Sequence, residues 1–169
     1  MPDFKEVPVS EFSLNPFTTI GKEWMLISAG NAEQCNTMTA SWGGLGIMWN
    51  KPVSTIYIRP SRYTLEFLNR ESHYSLCVFD ESHREALNYC GSHSGRDGDK
   101  IKAAHLSPAF TENAPYFKEA KLVLICRKLY RQTMAPECFL DSAVDKANYP
   151  KKDYHEMFIG EIEKVLKRG

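Results

Sequence analysis

At 169 residues the chain is most simply one domain, residues 1–169, able to bury about 70% of the surface that its unfolded form exposes. Lys and Arg together number 21, as do Asp and Glu, so the net charge is zero and the basic excess of a nucleic-acid-binding protein is missing. The five cysteines are an odd number, no signal-like segment opens the chain and no apolar run is long enough to cross a bilayer, so a reducing cytoplasm without membrane contact is expected.

Residues 1–22 carry Pro2, Pro8 and Pro16 among scattered hydrophobics, which predicts an extended N-terminal arm with little regular structure. Trp24 to Ser28 is a short apolar strand, and Ala29 to Glu33 supplies the turn of a hairpin. The next stretch is the most distinctive in the chain. In Asn36-Thr37-Met38-Thr39-Ala40-Ser41-Trp42-Gly43-Gly44-Leu45-Gly46, a two-residue period sets Met38, Ala40 and Trp42 against Thr37, Thr39 and Ser41. Small side chains leave its backbone amides and carbonyls approachable, and three glycines within four residues allow a sharp turn beside the indole. A flat heterocycle with polar edges suits such a wall, although an ordinary strand and tight turn is the plainer reading of this stretch alone.

Asn50-Lys51-Pro52 breaks the chain before Val53 to Arg59, a β-branched strand. Pro60-Ser61-Arg62-Tyr63-Thr64 then opens a short helical segment, Leu65 to Arg70, with Ser61 as its expected N-cap. Arg59, Ser61, Arg62 and Thr64 sit where strand hands over to helix, so guanidinium groups, hydroxyls and helix N–H groups converge on a place suited to a phosphate. The alternative is a solvated strand end with a helix cap. His73 to Phe79 forms another strand, in which Cys77 is a small core residue, as Cys126 is further on. Ser82-His83-Arg84-Glu85 has the S-x-x-E form of a capping box, which places a helix over Ala86 to Tyr89 with Gly91 as its stop.

Cys90-Gly91-Ser92-His93 offers a metal-like pair, but no second pair follows at finger-like spacing and no metal is expected. A polar loop from Ser92 to Gly98 leads into a short helix, Asp99 to Ala104. Ser94-Gly95-Arg96-Asp97-Gly98-Asp99-Lys100 resembles an anion-binding loop without the G-x-x-x-x-G-K-[ST] spacing of nucleoside-triphosphate enzymes; a charged surface turn is the other reading. Ala120 to Met134 is a long strand, with Pro108, Pro115 and Pro136 punctuating the connections around it. Tyr154 to Leu166 closes the chain, alternating Phe158, Gly160 and Ile162 against Ile159, Glu161 and Glu163, and His155 at its start is either a site histidine or a strand-end residue. Strands separated by short helices, without regular βαβ alternation, predict a mainly β fold: an antiparallel sheet closed into a barrel with peripheral helices. Neither a G-x-S-x-G elbow nor a G-x-G-x-x-G fingerprint is present, so hydrolysis and a Rossmann-type nicotinamide site are not expected.

The cradle 36–44, Arg59 to Thr64, Ser94 to Lys100, and His155 through Gly160-Glu161-Ile162, taken in that order, resemble the flavin reductase-like family of FMN-binding split barrels, most closely its flavoredoxin branch. The resemblance implies a six-stranded antiparallel split β-barrel, a homodimer, and FMN in a groove near the subunit interface. It implies that Asn36 and the backbone of Thr39, Ala40, Ser41 and Trp42 lie beside the flavin, and that Thr64, Lys100 and His155 are further contacts. Arg59, Ser61 and Arg62 join this set on the physical argument above; no catalytic residue and no metal ligand are assigned. The implied activity takes hydride from NADH or NADPH onto flavin and passes electrons to an unidentified acceptor, with Lys100 or a backbone N–H stabilising charge on the reduced ring. The alternatives are a flavoredoxin-like electron-transfer flavoprotein with tightly held FMN, and a flavin-binding module without turnover. Cover for the flavin, supplied in longer relatives by a C-terminal extension, is expected here from the dimer partner or the N-terminal arm.

Overall fold

Residues 4–169 are described by a computed structural model. In chain order the elements are β1 (Phe4–Val7), α1 (Pro16–Thr18), β2 (Met25–Gly30), β3 (Cys35–Ala40), β4 (Gly44–Met48), β5 (Lys51–Ile58), α2 (Thr64–Arg70), β6 (His73–Val78), α3 (Arg84–Ser92), α4 (Lys100–Ala103), β7 (Pro108–Phe110), β8 (Pro115–Phe117), β9 (Leu122–Thr133), α5 (Ser142–Asn148) and β10 (Glu156–Arg168). Eight strands make one sheet in the order β3-β2-β6-β9-β10-β5-β4, with β1 also on β10, while β7 and β8 form a separate ribbon. Every pairing is antiparallel. The mainly β, antiparallel architecture with peripheral helices is therefore the one expected, whereas closure is not: β3 and β4 end the sheet unpaired with each other, and the strands exceed six.

The two additional strands have physical causes. β10 is long enough to pair with β5 along Glu156 to Glu161 and with β1 along Val165 to Arg168 on the same edge, so the N-terminal segment docks as a strand. That segment is more regular than expected, since α1 and a π-helical turn, Thr19–Glu23, follow β1. The glycine-rich stretch supplies β4: only Gly43 turns the chain, with φ of +151°, and Gly44 and Gly46 lie in the strand, where nothing crowds them. The break before β5 falls at Trp49 and Asn50, whose φ angles of 52° and 57° form a two-residue hairpin turn, so Pro52 sits inside the strand and not before it.

β2 and β6 are buried along their whole length because the sheet has a core on each face. One face packs Ile27, Met38, Ile56, Ile58, Leu76 and Phe158 inside the barrel. The other packs Leu26, Val123 and Ile125 against Leu87 and Cys90 of α3 and Phe117 of β8. Cys77 and Cys126 are fully buried, as expected. Inside the barrel the Tyr74 hydroxyl lies 2.6 Å from Ser54 Oγ, and a Cβ at Gly160 would collide with that hydroxyl. No helix among the described residues is long and apolar enough to cross a membrane.

Candidate functional site

The antiparallel register pairs Glu156 of β10 with Ile58 of β5, which sets His155 beside Arg59 just past the end of the paired segment. The last residues of β3 reach the same place. Together they enclose a groove of about 220 Å³ lined by Met38, Thr39, Ala40, Ser41, Trp42, Tyr57, Arg59, Arg62 and His155. A second hollow of about 260 Å³ shares Thr39, Ser41 and Arg62 and continues to Trp24, Leu87, Asn88, Gly91 and Ser92. The Thr39 hydroxyl donates to the Leu87 carbonyl at 2.5 Å and so ties β3 to α3 between the two hollows.

The polar groups at the groove are held unequally. Arg59 is neutralised by Asp153 at 2.9 Å, donates to the Asn148 carbonyl at 2.9 Å and lies 5.1 Å from the centre of the Tyr149 ring. Arg62 donates to the Gly91 carbonyl at 2.9 Å, but among the described residues no carboxylate forms a salt bridge with it. Burial lowers its pKa, with the Arg59 charge adding to the effect. Burial also brings the His155 imidazole down to about 4, aided by Arg59 and Arg62 against the opposing pull of Asp153, so the ring is neutral near pH 7. Its Nδ1 is 2.6 Å from the Tyr149 hydroxyl. The Trp42 ring stands 5.4 Å from His155 at 52° and is 48% exposed, a large aromatic face left open to water at the rim.

Seven of the eleven residues singled out from sequence line this groove: Thr39, Ala40, Ser41, Trp42, Arg59, Arg62 and His155. Four do not. Asn36 and Thr64 are buried and bonded to each other, Nδ2 to Oγ1 at 2.9 Å, joining β3 to the first turn of α2. Ser61 is exposed and is not the helix cap; Tyr63 holds that position without a side-chain bond, and the Ser61 carbonyl accepts from Arg96. Lys100 is 5% exposed, and its ammonium donates to the carbonyls of Cys90 and His93, both at 3.0 Å. Unsatisfied carbonyls at the end of α3 capture this cation, as helix C-termini commonly do, and burial brings its pKa to about 8. The capping box at Ser82 also fails to form, because α3 begins at Arg84 after a 3-10 turn and Ser82 bonds His83.

None of the groove lining comes from the arm between Phe4 and Lys22. Sequence reasoning missed Tyr57 and Tyr149. Tyr57 lies two residues before Arg59 and therefore on the same strand face, a signal that was legible; Tyr149 reaches His155 through a connection with no strand period. Among the described residues no group of three or more His, Cys, Asp or Glu is placed to hold a metal ion. The groove instead combines a cation without a counter-charge, hydroxyls, a neutral imidazole and two aromatic rings. Such a set suits a flat anionic ligand.

A family model described as flavin reductase like domain matches residues 17–169. A solved flavoredoxin from Methanosarcina acetivorans is 22% identical, with a TM-score of 0.68 over 86% of this chain and 68% of that one. An FMN-binding domain of a flavin reductases-like enzyme from Shewanella baltica is 16% identical, with a TM-score of 0.70 over 99% and 78%. An NADH:FAD oxidoreductase from Streptomyces globisporus is 16% identical, with a TM-score of 0.64 over 86% and 74%. The likeness to these structures is one of fold. No curated protein matches.

Proposed function

Because the chain belongs to the flavin reductase-like domain family, we propose that it binds FMN in the groove between β3, β5 and β10 and works as an NAD(P)H-dependent oxidoreductase. The observation that carries this reading is the half-buried Arg62 guanidinium, without a carboxylate partner, in one groove with Trp42 and neutral His155. The residues fit the cofactor: Arg62 would meet its anionic part, the accessible backbone of Thr39 to Trp42 its polar edge, and the Trp42 and Tyr57 rings its apolar faces. When bound, FMN accepts hydride or single electrons, and the protein's part is position and electrostatics. Trp42 would exclude water from one face, and neutral His155 offers a hydrogen bond without adding a third charge beside Arg59 and Arg62.

One structural neighbour, an NADH:FAD oxidoreductase, supports a nicotinamide donor. A flavoredoxin among the neighbours supports the second reading, an electron carrier that holds FMN tightly, as does the open rim beside Trp42, where a protein donor has access. A homodimer is also proposed. Ile47, Met48 and Trp49 on the β4–β5 hairpin are exposed together, and Trp49 lies 6.3 Å from exposed Tyr130 of β9, an apolar surface suited to a second copy. The deciding experiment is an absorbance spectrum of freshly purified protein followed by anaerobic titration with NADH and NADPH. Flavin bleached promptly by either nucleotide is the expected result. Bleaching only by a reduced redox protein selects the carrier, and protein with neither flavin absorbance nor affinity for added FMN overturns both.

A further inference from the structure

The His155 side chain has one hydrogen-bond partner among the described residues, the Tyr149 hydroxyl, 2.6 Å from Nδ1. Tyr149 is itself buried and lies outside the groove lining. Its ring is held by Tyr154, stacked at 4.9 Å, by Phe139 at 5.7 Å and by the Arg59 guanidinium, 5.1 Å from the ring centre. The hydroxyl therefore reaches Nδ1 from a fixed place. The other ring nitrogen, Nε2, has no partner among the described residues and is not sealed from solvent. Because His155 lines the groove, Nε2 is the nitrogen that a groove ligand meets.

We propose that Tyr149 is a positioning residue: by donating its proton to Nδ1 it fixes the imidazole with hydrogen on Nε2, so that His155 acts in the groove as a donor and recognises an acceptor atom of the ligand. A second arrangement competes with this one. In it, Nδ1–H donates to the phenol oxygen and the Tyr149 proton turns to Met134 Sδ, 3.7 Å away. That exchange gives up a hydroxyl–imidazole bond for one to a thioether sulfur, a weak acceptor. Length also favours the first arrangement, since 2.6 Å is short for an N–H donor and usual for a hydroxyl donor. Burial raises the Tyr149 pKa, so the phenol keeps at pH 7 the proton it donates. Burial, with the Arg59 and Arg62 charges, opposes a second proton on the His155 ring. For FMN, the atom at His155 is then a carbonyl or phosphate oxygen or an unprotonated ring nitrogen, and the flavin N3–H is excluded from that position. This last identification rests on the FMN reading of the groove, whereas the tautomer is a property of the protein alone.

Nitrogen NMR of the isotopically labelled full chain at pH 7, with His155→Gln identifying the His155 signals, reads the tautomer without cofactor. Nδ1 is expected to show the shift of an unprotonated ring nitrogen and Nε2 that of a protonated one. In Tyr149→Phe the Nδ1–H form should rise at least threefold, and FMN affinity should fall at least threefold in a fluorescence titration. The same Tyr149→Phe change made in His155→Gln should leave FMN affinity within twofold, because Tyr149 acts through His155; a merely structural effect of the phenol would lower it in both backgrounds. Should Tyr149→Phe fail to fold, the signals of the unmodified protein decide the matter. A proton on Nδ1 in the unmodified protein, an unaltered tautomer ratio in folded Tyr149→Phe, or equal losses of FMN affinity in the two backgrounds each overturns the proposal. Absence of FMN binding in the unmodified chain overturns the cofactor reading instead, and the nitrogen signals still decide the tautomer.

Discussion

His155 enters its groove uncharged, and this carries a pH signature. The unfolded chain takes up a proton near pH 6.5 that the folded protein refuses until about pH 4, so the unfolded state binds more protons throughout that interval. Stability should therefore fall as pH drops from about 6.5 to 4, by an amount on the order of 2–3 kcal/mol from this residue. Denaturant midpoints at pH 7, 5.5 and 4.5 should show a shallower decline in His155→Gln. Arg62 makes the opposite kind of contribution, a charge left available. If it meets the anionic part of FMN, Arg62→Met should weaken FMN binding tenfold or more, about 1.4 kcal/mol, in a fluorescence-quenching titration. An unchanged affinity would place the cofactor's anion elsewhere.

At the scale of elements, Lys100 shows how a residue of the right chemistry is committed to structure. Its ammonium joins the end of α3, through the Cys90 carbonyl, to the loop carbonyl of His93 just beyond it. Lys100→Met should cost about 1–3 kcal/mol by leaving the buried Cys90 carbonyl and the half-buried His93 carbonyl without their donor, read as a lowered Tm. Its effect on FMN affinity in the folded protein should be smaller than that of Arg62→Met; a larger effect would return Lys100 to the site. Gly160 marks a second constraint, in β10. Because a Cβ there would collide with the Tyr74 hydroxyl and press on its bond to Ser54, Gly160→Ala should destabilise the barrel by about 1–3 kcal/mol, measurable by urea unfolding. Strand periods made β2, β3, β5, β6, β9 and β10 legible, whereas β1, β4 and α5 were not. β1 exists only because β10 offers it an unpaired edge. β4 runs through glycines that read locally as a turn. α5 rests on a single Asp141 cap without a strong apolar face.

For the whole molecule, the exposed Ile47, Met48, Trp49 and Tyr130 predict association. Sedimentation of the native chain is expected to give a dimer, and the double change Ile47→Lys with Trp49→Lys to shift it toward the monomer; a monomeric native chain would leave this surface to another partner. The sequence by itself determined the antiparallel β class, the family, and the stretches Thr39 to Trp42 and Arg59 to Arg62, whose alternation and small or cationic side chains are local properties. Only the tertiary structure decided which polar groups remain available. Asn36, Thr64 and Lys100 bond partners inside the protein, while Arg62 has no carboxylate partner among the described residues and keeps its charge at the groove. The physical reason is that a side chain's hydrogen-bond partners are chosen by which helix ends and strand edges fold beside it, 89 residues away for Arg59 and Asn148, and no local pattern records that choice.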